Sequence, residues 1–162
     1  MIKLKIAKMK LKIVSENPKE TQKIAFYFGN FLNNFKKSQK GALVVSLEGE
    51  LGSGKTEFLK GVAKAFKIKE KIWSPTFILM RCFKLSKKYQ FKNFWHLDLY
   101  RLKRTKDLKN LGFFDLVKDK DNILFIEWGN KMKKLLPKKH LKIKFKIKAE
   151  KERFLEFFIP SI

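Results

Sequence analysis

Polar and apolar residues alternate with a period of two over the first fourteen positions. The apolar side chains fall at Ile2, Leu4 and Ile6 and then at Met9, Leu11 and Ile13. The change from even to odd parity predicts a bulged or broken strand, because one extra residue sends every later side chain to the opposite face. The period then lengthens. Ile24, Phe28, Phe31 and Phe35 recur at three to four residues, as on one face of a helix laid on a core. Asn17, Pro18 and Glu20 stand as cap, first helical position and the carboxylate three residues after the cap, so a helix is predicted from there to about Phe35. Short apolar runs follow. Residues 42–47 and 122–128 read as strands buried on both faces, where alternation disappears. Residues 55–66 are helical by composition, and residues 77–85 and 91–99 read as strands around a polar turn at 86–90. After Pro137, two further strands at 140–147 and 153–159 frame a turn at Glu150.

With 162 residues, 44% of them apolar and 17 of them Phe, the chain is the size of one domain spanning residues 1–162 and can bury one substantial core. No apolar run approaches the ~20 residues of a membrane span. The lysine-interrupted start lacks the apolar block of a secretory leader. Cys82 is the lone cysteine, which fits a reducing compartment, and a cytoplasmic location is expected. The formal net charge of +24 is carried by lysine: only Arg81, Arg101, Arg104 and Arg153 are arginine. Two origins stay open for that excess, codon bias of an AT-rich genome and attraction for polyanions such as RNA.

The strongest chemical signal is Gly49-Glu50-Leu51-Gly52-Ser53-Gly54-Lys55-Thr56, a full match to G-x-x-x-x-G-K-[ST]. Gly49 and Gly54 allow backbone dihedrals closed to other residues, so that successive N–H groups converge on phosphate oxygens. Lys55 supplies a point charge for terminal phosphates, and the Thr56 hydroxyl one position on Mg²⁺. A strand before and a helix after are the required setting. The predicted fold is therefore α/β: a three-layer, P-loop NTPase-like domain with a mostly parallel central sheet, helices on both faces and an antiparallel C-terminal strand pair.

Nucleotide hydrolysis also needs a carboxylate on a neighbouring strand, to hold metal or orient water. Asp98 ends the run Trp95-His96-Leu97-Asp98, and Glu127 ends Ile123-Leu124-Phe125-Ile126-Glu127. Both fall at the carboxyl ends of predicted strands, where open α/β sheets bind ligands. How they divide the two roles is not decided by sequence. His96 shares a sheet face with Asp98 and reads as a satisfied polar residue of the core. Arg101 is a candidate charge-stabilising group on phosphate, with a surface ion pair as the alternative.

Four motifs agree in order and spacing: the glycine loop, Ser74-Pro75-Thr76-Phe77, His96-Leu97-Asp98-Leu99-Tyr100-Arg101, and Glu127-Trp128. In these the sequence resembles the bacterial TsaE (YjeE) family, the ATPase of tRNA threonylcarbamoyladenosine biosynthesis. Leu111-Gly112-Phe113-Phe114-Asp115 is similar to a further family stretch. The chain departs in Ala25, in its Lys-rich 84–92 turn and in residues 131–148, which hold nine Lys and no acid.

The resemblance implies that the loop binds ATP or ADP through Gly49, Gly52, Ser53, Gly54, Lys55, Thr56 and Glu57, with Thr21 near the adenine. It implies that Thr56 and Glu127 hold Mg²⁺, that Lys55, Asp98 and Glu127 carry catalysis, and that Trp128 lies beside the site. Ser74, Pro75, Thr76 and Phe77 correspond to a nucleotide-responsive switch that faces partners. Those partners would be TsaD and TsaB, which ATP turnover would drive or reset in modifying the adenosine next to the anticodon of tRNAs reading codons that begin with A. Contact with tRNA would be direct or through them. A P-loop small-molecule kinase and a basic RNA-binding module with a structural nucleotide site are the competing readings.

Overall fold

A computed structural model describes residues 9–35, 40–72, 80–102 and 104–160. Its order is β1 (Met9–Ser15), α1 (Pro18–Asn34), β2 (Leu43–Glu48), α2 (Lys55–Ala65), β3 (Met80–Lys84), β4 (Asn93–Asp98), α3 (Thr105–Asn110), α4 (Phe113–Lys118), β5 (Asn122–Glu127), a 3₁₀ turn (Gly129–Met132), β6 (Leu141–Ile147) and β7 (Arg153–Ile159). The seven strands form one sheet in the order β1-β7-β6-β2-β5-β4-β3. Its core, β6-β2-β5-β4, is parallel, and both margins are antiparallel: β7 and β1 on one side, β3 on the other.

Both faces of the parallel core are covered, which is why β2 and β5 read as unbroken apolar runs. Val45, Leu47, Ile123 and Phe125 pack under α1 and α2 with Phe28, Phe58 and Phe157. Val44, Leu124 and Ile126 point the other way, onto Leu99, Leu108 and Phe113. The predicted three-layer α/β class is the one found. Two helices were not anticipated. Helices α3 and α4, six residues each, are too short to establish a helical period. The parity change near residue 8 and the start of the strand predicted at 77 lie outside the described residues.

Helix α1 begins as its sequence requires. The Asn17 side-chain oxygen accepts from the Glu20 N–H at 3.0 Å. The Glu20 carboxylate reaches one residue beyond the cap and accepts from the Glu16 N–H at 2.6 Å. At its far end, Gln90 in the turn after β3 donates its side-chain amide to the carbonyls of Leu32, Asn33 and Phe35, covering acceptors that the last helical turn leaves open. Helices α1 and α2 approach closely because Gly61 meets the Gln22 carbonyl: a Cβ at Gly61 would lie 2.2 Å from that oxygen.

Candidate functional site

The loop between β2 and α2 is shaped by three glycines for two different reasons. Gly52 and Gly54 adopt φ of +75° and +98°, left-handed geometry that disfavours any side chain. Gly49 is needed for space instead, since a Cβ there would sit 2.6 Å from the Ser53 hydroxyl and 2.7 Å from the Phe145 carbonyl. The sequence argument assigned unusual dihedrals to Gly49 and Gly54; the structure gives them to Gly52 and Gly54. Helix α2 starts at Lys55, directly after the left-handed Gly54, so its positive end opens into the loop.

Lys55 is 4% exposed. Its Nζ donates to the carbonyls of Gly49 and Glu50, both at 2.8 Å, and lies 4.1 Å from the centre of the Trp128 ring. Burial holds this ammonium below the usual lysine range, while the charges of Glu127, Asp98 and Glu50 pull it back up. Trp128 takes a left-handed φ of +62° and donates its N–H to the Leu47 carbonyl at 2.9 Å. The chain therefore turns sharply after β5, and the indole closes one wall of the site beside Tyr100, with ring centres 5.1 Å apart.

Parallel register sets the two acids side by side, Asp98 opposite Glu127, at the carboxyl ends of β4 and β5. The Thr56 hydroxyl lies 3.2 Å from each Glu127 oxygen. On its other side, Glu127 Oε1 meets His96 Nε2 at 3.0 Å, and an ionised carboxylate only accepts, so the ring carries its proton on Nε2. Asp98 Oδ1 accepts from the Tyr100 N–H at 2.9 Å. Glu127, Asp98 and His96 are all buried. No group of three or more His, Cys, Asp and Glu side chains forms a metal cage among the described residues. A hydroxyl and one carboxylate beside the glycine loop fit Mg²⁺, a hard cation that takes oxygen ligands and needs few of them from protein.

The structure thus brings Gly49, Gly52, Ser53, Gly54, Lys55, Thr56, Asp98, Glu127, His96 and Trp128 together around the carboxyl ends of β2, β5 and β4. Glu57 turns toward α1, where Gln22 donates to it at 2.7 Å and Lys60 pairs with it; burial raises its pKa, but these bonds and Lys64 hold it below the usual carboxylate value. Thr21 is buried at the seam of α1 and β1, sharing a 2.6 Å hydrogen bond with Ser15. Arg101 sits exposed on the turn after β4. Ser74, Pro75, Thr76 and Phe77 lie outside the described residues.

Two residues escaped sequence reasoning. Glu48, buried at the end of β2, accepts from Ser46 at 3.3 Å on the sheet face opposite Glu127; an acid one residue before the loop was its signal. Arg153, at the start of β7, donates to the Gly52 carbonyl at 3.1 Å and to the carbonyls of Ala149, Glu150 and Glu152. It ties the glycine loop to the β6–β7 turn, a contact 101 residues distant in sequence that no local pattern discloses.

Comparison with known proteins agrees with this geometry. The family model described as "Threonylcarbamoyl adenosine biosynthesis protein TsaE" matches residues 15–155. Proteins named tRNA threonylcarbamoyladenosine biosynthesis protein TsaE are similar in sequence. That of Rickettsia prowazekii is 34% identical over 76% of this chain and 83% of its own length, and that of Bacillus subtilis 31% identical over 91% and 84%. The crystal structure of Bacillus subtilis YdiB superposes with a TM-score of 0.69 at 25% identity, covering 96% of this chain and 89% of that one. With the loop, the paired strand-end carboxylates and the family match over most of its length, the chain belongs to the TsaE family of tRNA threonylcarbamoyladenosine biosynthesis.

Proposed function

We propose that this chain binds Mg·ATP in the Gly49–Thr56 loop and hydrolyses it in the cytoplasm to drive or reset a TsaD–TsaB complex during threonylcarbamoyl modification of tRNA. The observation that carries the reading is the contact of Thr56 with Glu127, which unites the last loop residue with a strand-end carboxylate, the two groups that would hold Mg²⁺. Bound Mg²⁺ would neutralise charge on the phosphate oxygens; the remaining tasks fall to the chain.

Lys55 exchanges two carbonyl partners for the terminal phosphate oxygens, whose charge offsets the burial it suffers in the free protein. The backbone N–H groups of the loop and the start of α2 orient the phosphates. Asp98, aimed by the Tyr100 N–H, orients the attacking water. His96 fixes the Glu127 carboxylate from behind, and Trp128 keeps bulk water from one side. ATP can work on a partner only if the ATP and ADP states bind that partner with different free energies. Residues 74–77 are the proposed source of that difference.

The test is ATP turnover by the wild type and Lys55→Ala, with and without TsaD and TsaB. Turnover that rises with the partners and vanishes in the variant supports the reading. Equal turnover in both proteins, or rapid phosphate transfer to an acceptor hydroxyl without the partners, overturns it.

A further inference from the structure

Strand β7 presents its two faces to different surroundings. Leu155, Phe157 and Ile159 enter the core beneath α1. Phe154 and Phe158 point the opposite way and belong to neither hydrophobic cluster of the described residues; each remains half-buried at the surface. The register places lysines on both sides of Phe158 and on one side of Phe154, whose β1 partner is Val14. On β6, Lys142 pairs with Phe158 and Lys146 with Phe154. On β1, Lys10 pairs with Phe158 and Lys12 with Glu156.

The ammonium groups lie against the rings: Lys12 is 4.0 Å from the Phe154 centre, and Lys142 and Lys10 are 5.0 and 5.3 Å from that of Phe158. Glu156 is the acid between the rings, and Lys146 pairs with it at 3.3 Å. Two aromatic rings therefore lie in the middle of a sheet surface fenced by positive charge.

We propose that this β1-β7-β6 face binds single-stranded RNA, stacking bases on Phe154 and Phe158 and holding phosphates with the flanking lysines. The inference is independent of the ATPase reading. An aromatic sheet surface with basic edges suits a single strand, whose unpaired bases expose π-faces and whose backbone is a polyanion. The rings are four residues apart on one strand, about 13 Å, far enough to receive non-adjacent bases. A second copy of the chain is opposed by a net charge of +24 on each. An acidic protein would satisfy the lysines but has no particular use for two recessed phenyl faces.

Fluorescence anisotropy with a fluorescein-labelled oligouridine of about twelve nucleotides, and with a labelled polyglutamate of equal charge, tests this on the full chain without ATP. The variant Phe154→Leu/Phe158→Leu keeps apolar cover but removes the rings. It is expected to lose about five- to 150-fold in oligouridine affinity per stacked base and nothing in polyglutamate affinity. Lys10→Ala/Lys12→Ala/Lys142→Ala should flatten the log–log salt slope by about 2, from three lost phosphate contacts at about 0.7 each. Lys64→Ala/Lys69→Ala/Lys71→Ala, with the same loss of charge elsewhere, should flatten it less. Unaltered oligouridine affinity in the leucine variant, equal slopes in the two lysine variants, or polyglutamate bound more tightly than RNA would overturn the proposal. Thermal melts of each variant verify folding, and Phe158→Leu alone gives the same reading should the double variant not fold.

Discussion

The Thr56 hydroxyl sits 3.2 Å from both carboxylate oxygens of Glu127, residues that are 71 positions apart in sequence and meet where α2 begins and β5 ends. In the proposed reaction this pair is the protein's share of the Mg²⁺ shell. Glu127→Gln preserves the size and the contact with His96 but removes the charge. It is expected to lower Mg²⁺-dependent ATP turnover by about a hundredfold or more and to leave nucleotide binding measured in EDTA nearly unaltered. Equal loss in both measurements would mean that Glu127 shapes the loop rather than holding metal.

Lys55 gives a prediction of opposite signs for stability and function. Its charge is disfavoured in the folded chain, mainly by burial. The folded state therefore releases this proton at lower pH than the unfolded state, and this group's contribution to stability rises with pH through the interval below the ordinary lysine value. Lys55→Met should raise the melting temperature of the nucleotide-free protein near neutral pH, remove that alkaline rise and abolish turnover. Thermal melts from pH 7 upward check the sign: a lower melting temperature for Lys55→Met would show that its carbonyl bonds outweigh its burial.

Gly61→Ala tests the helix pair behind the loop. The added methyl would stand 2.2 Å from the Gln22 carbonyl and 2.7 Å from Ala25 Cβ, and backbone on one side leaves little freedom to yield. A destabilisation of about 1–3 kcal/mol is expected from overpacking, measured by urea unfolding.

Arg153→Ala removes the bond to Gly52 and three bonds to the adjoining turn. The expected outcome is ATP affinity several-fold weaker, corresponding to about 1 kcal/mol, with turnover at saturating ATP maintained. A fall in saturated turnover with unchanged affinity would contradict a positioning role on the loop.

The site was legible where chemistry is written in contiguous residues. The loop, the acids closing two strands and the capped helix each carry a local pattern whose physical reason is independent of tertiary structure. That parallel strands end together at the crevice brought Asp98 and Glu127 near the loop, but the partnership of Thr56 with Glu127 in particular was implied only by the family resemblance. What stayed hidden depends on contacts distant in sequence. Arg153 reaches Gly52 only because β7 returns antiparallel to β6, and β1 was readable as a strand but not as the neighbour of β7. Helices α3 and α4 are too brief for a period to show. Gly49 illustrates a subtler limit: the motif demanded glycine, but only coordinates distinguish a shortage of space from an unusual dihedral.

The caged ammonium of Lys55 has a consequence for what the cradle will accept. With two backbone oxygens and an indole face already satisfying it, a newcomer must outcompete amide dipoles for a cation. If the proposed function holds, neutral alcohols and sugars would fail that contest and a polyphosphate tail would win it. On the proposed reading the loop sets an admission threshold in units of negative charge, and discrimination begins before any base or sugar has been touched.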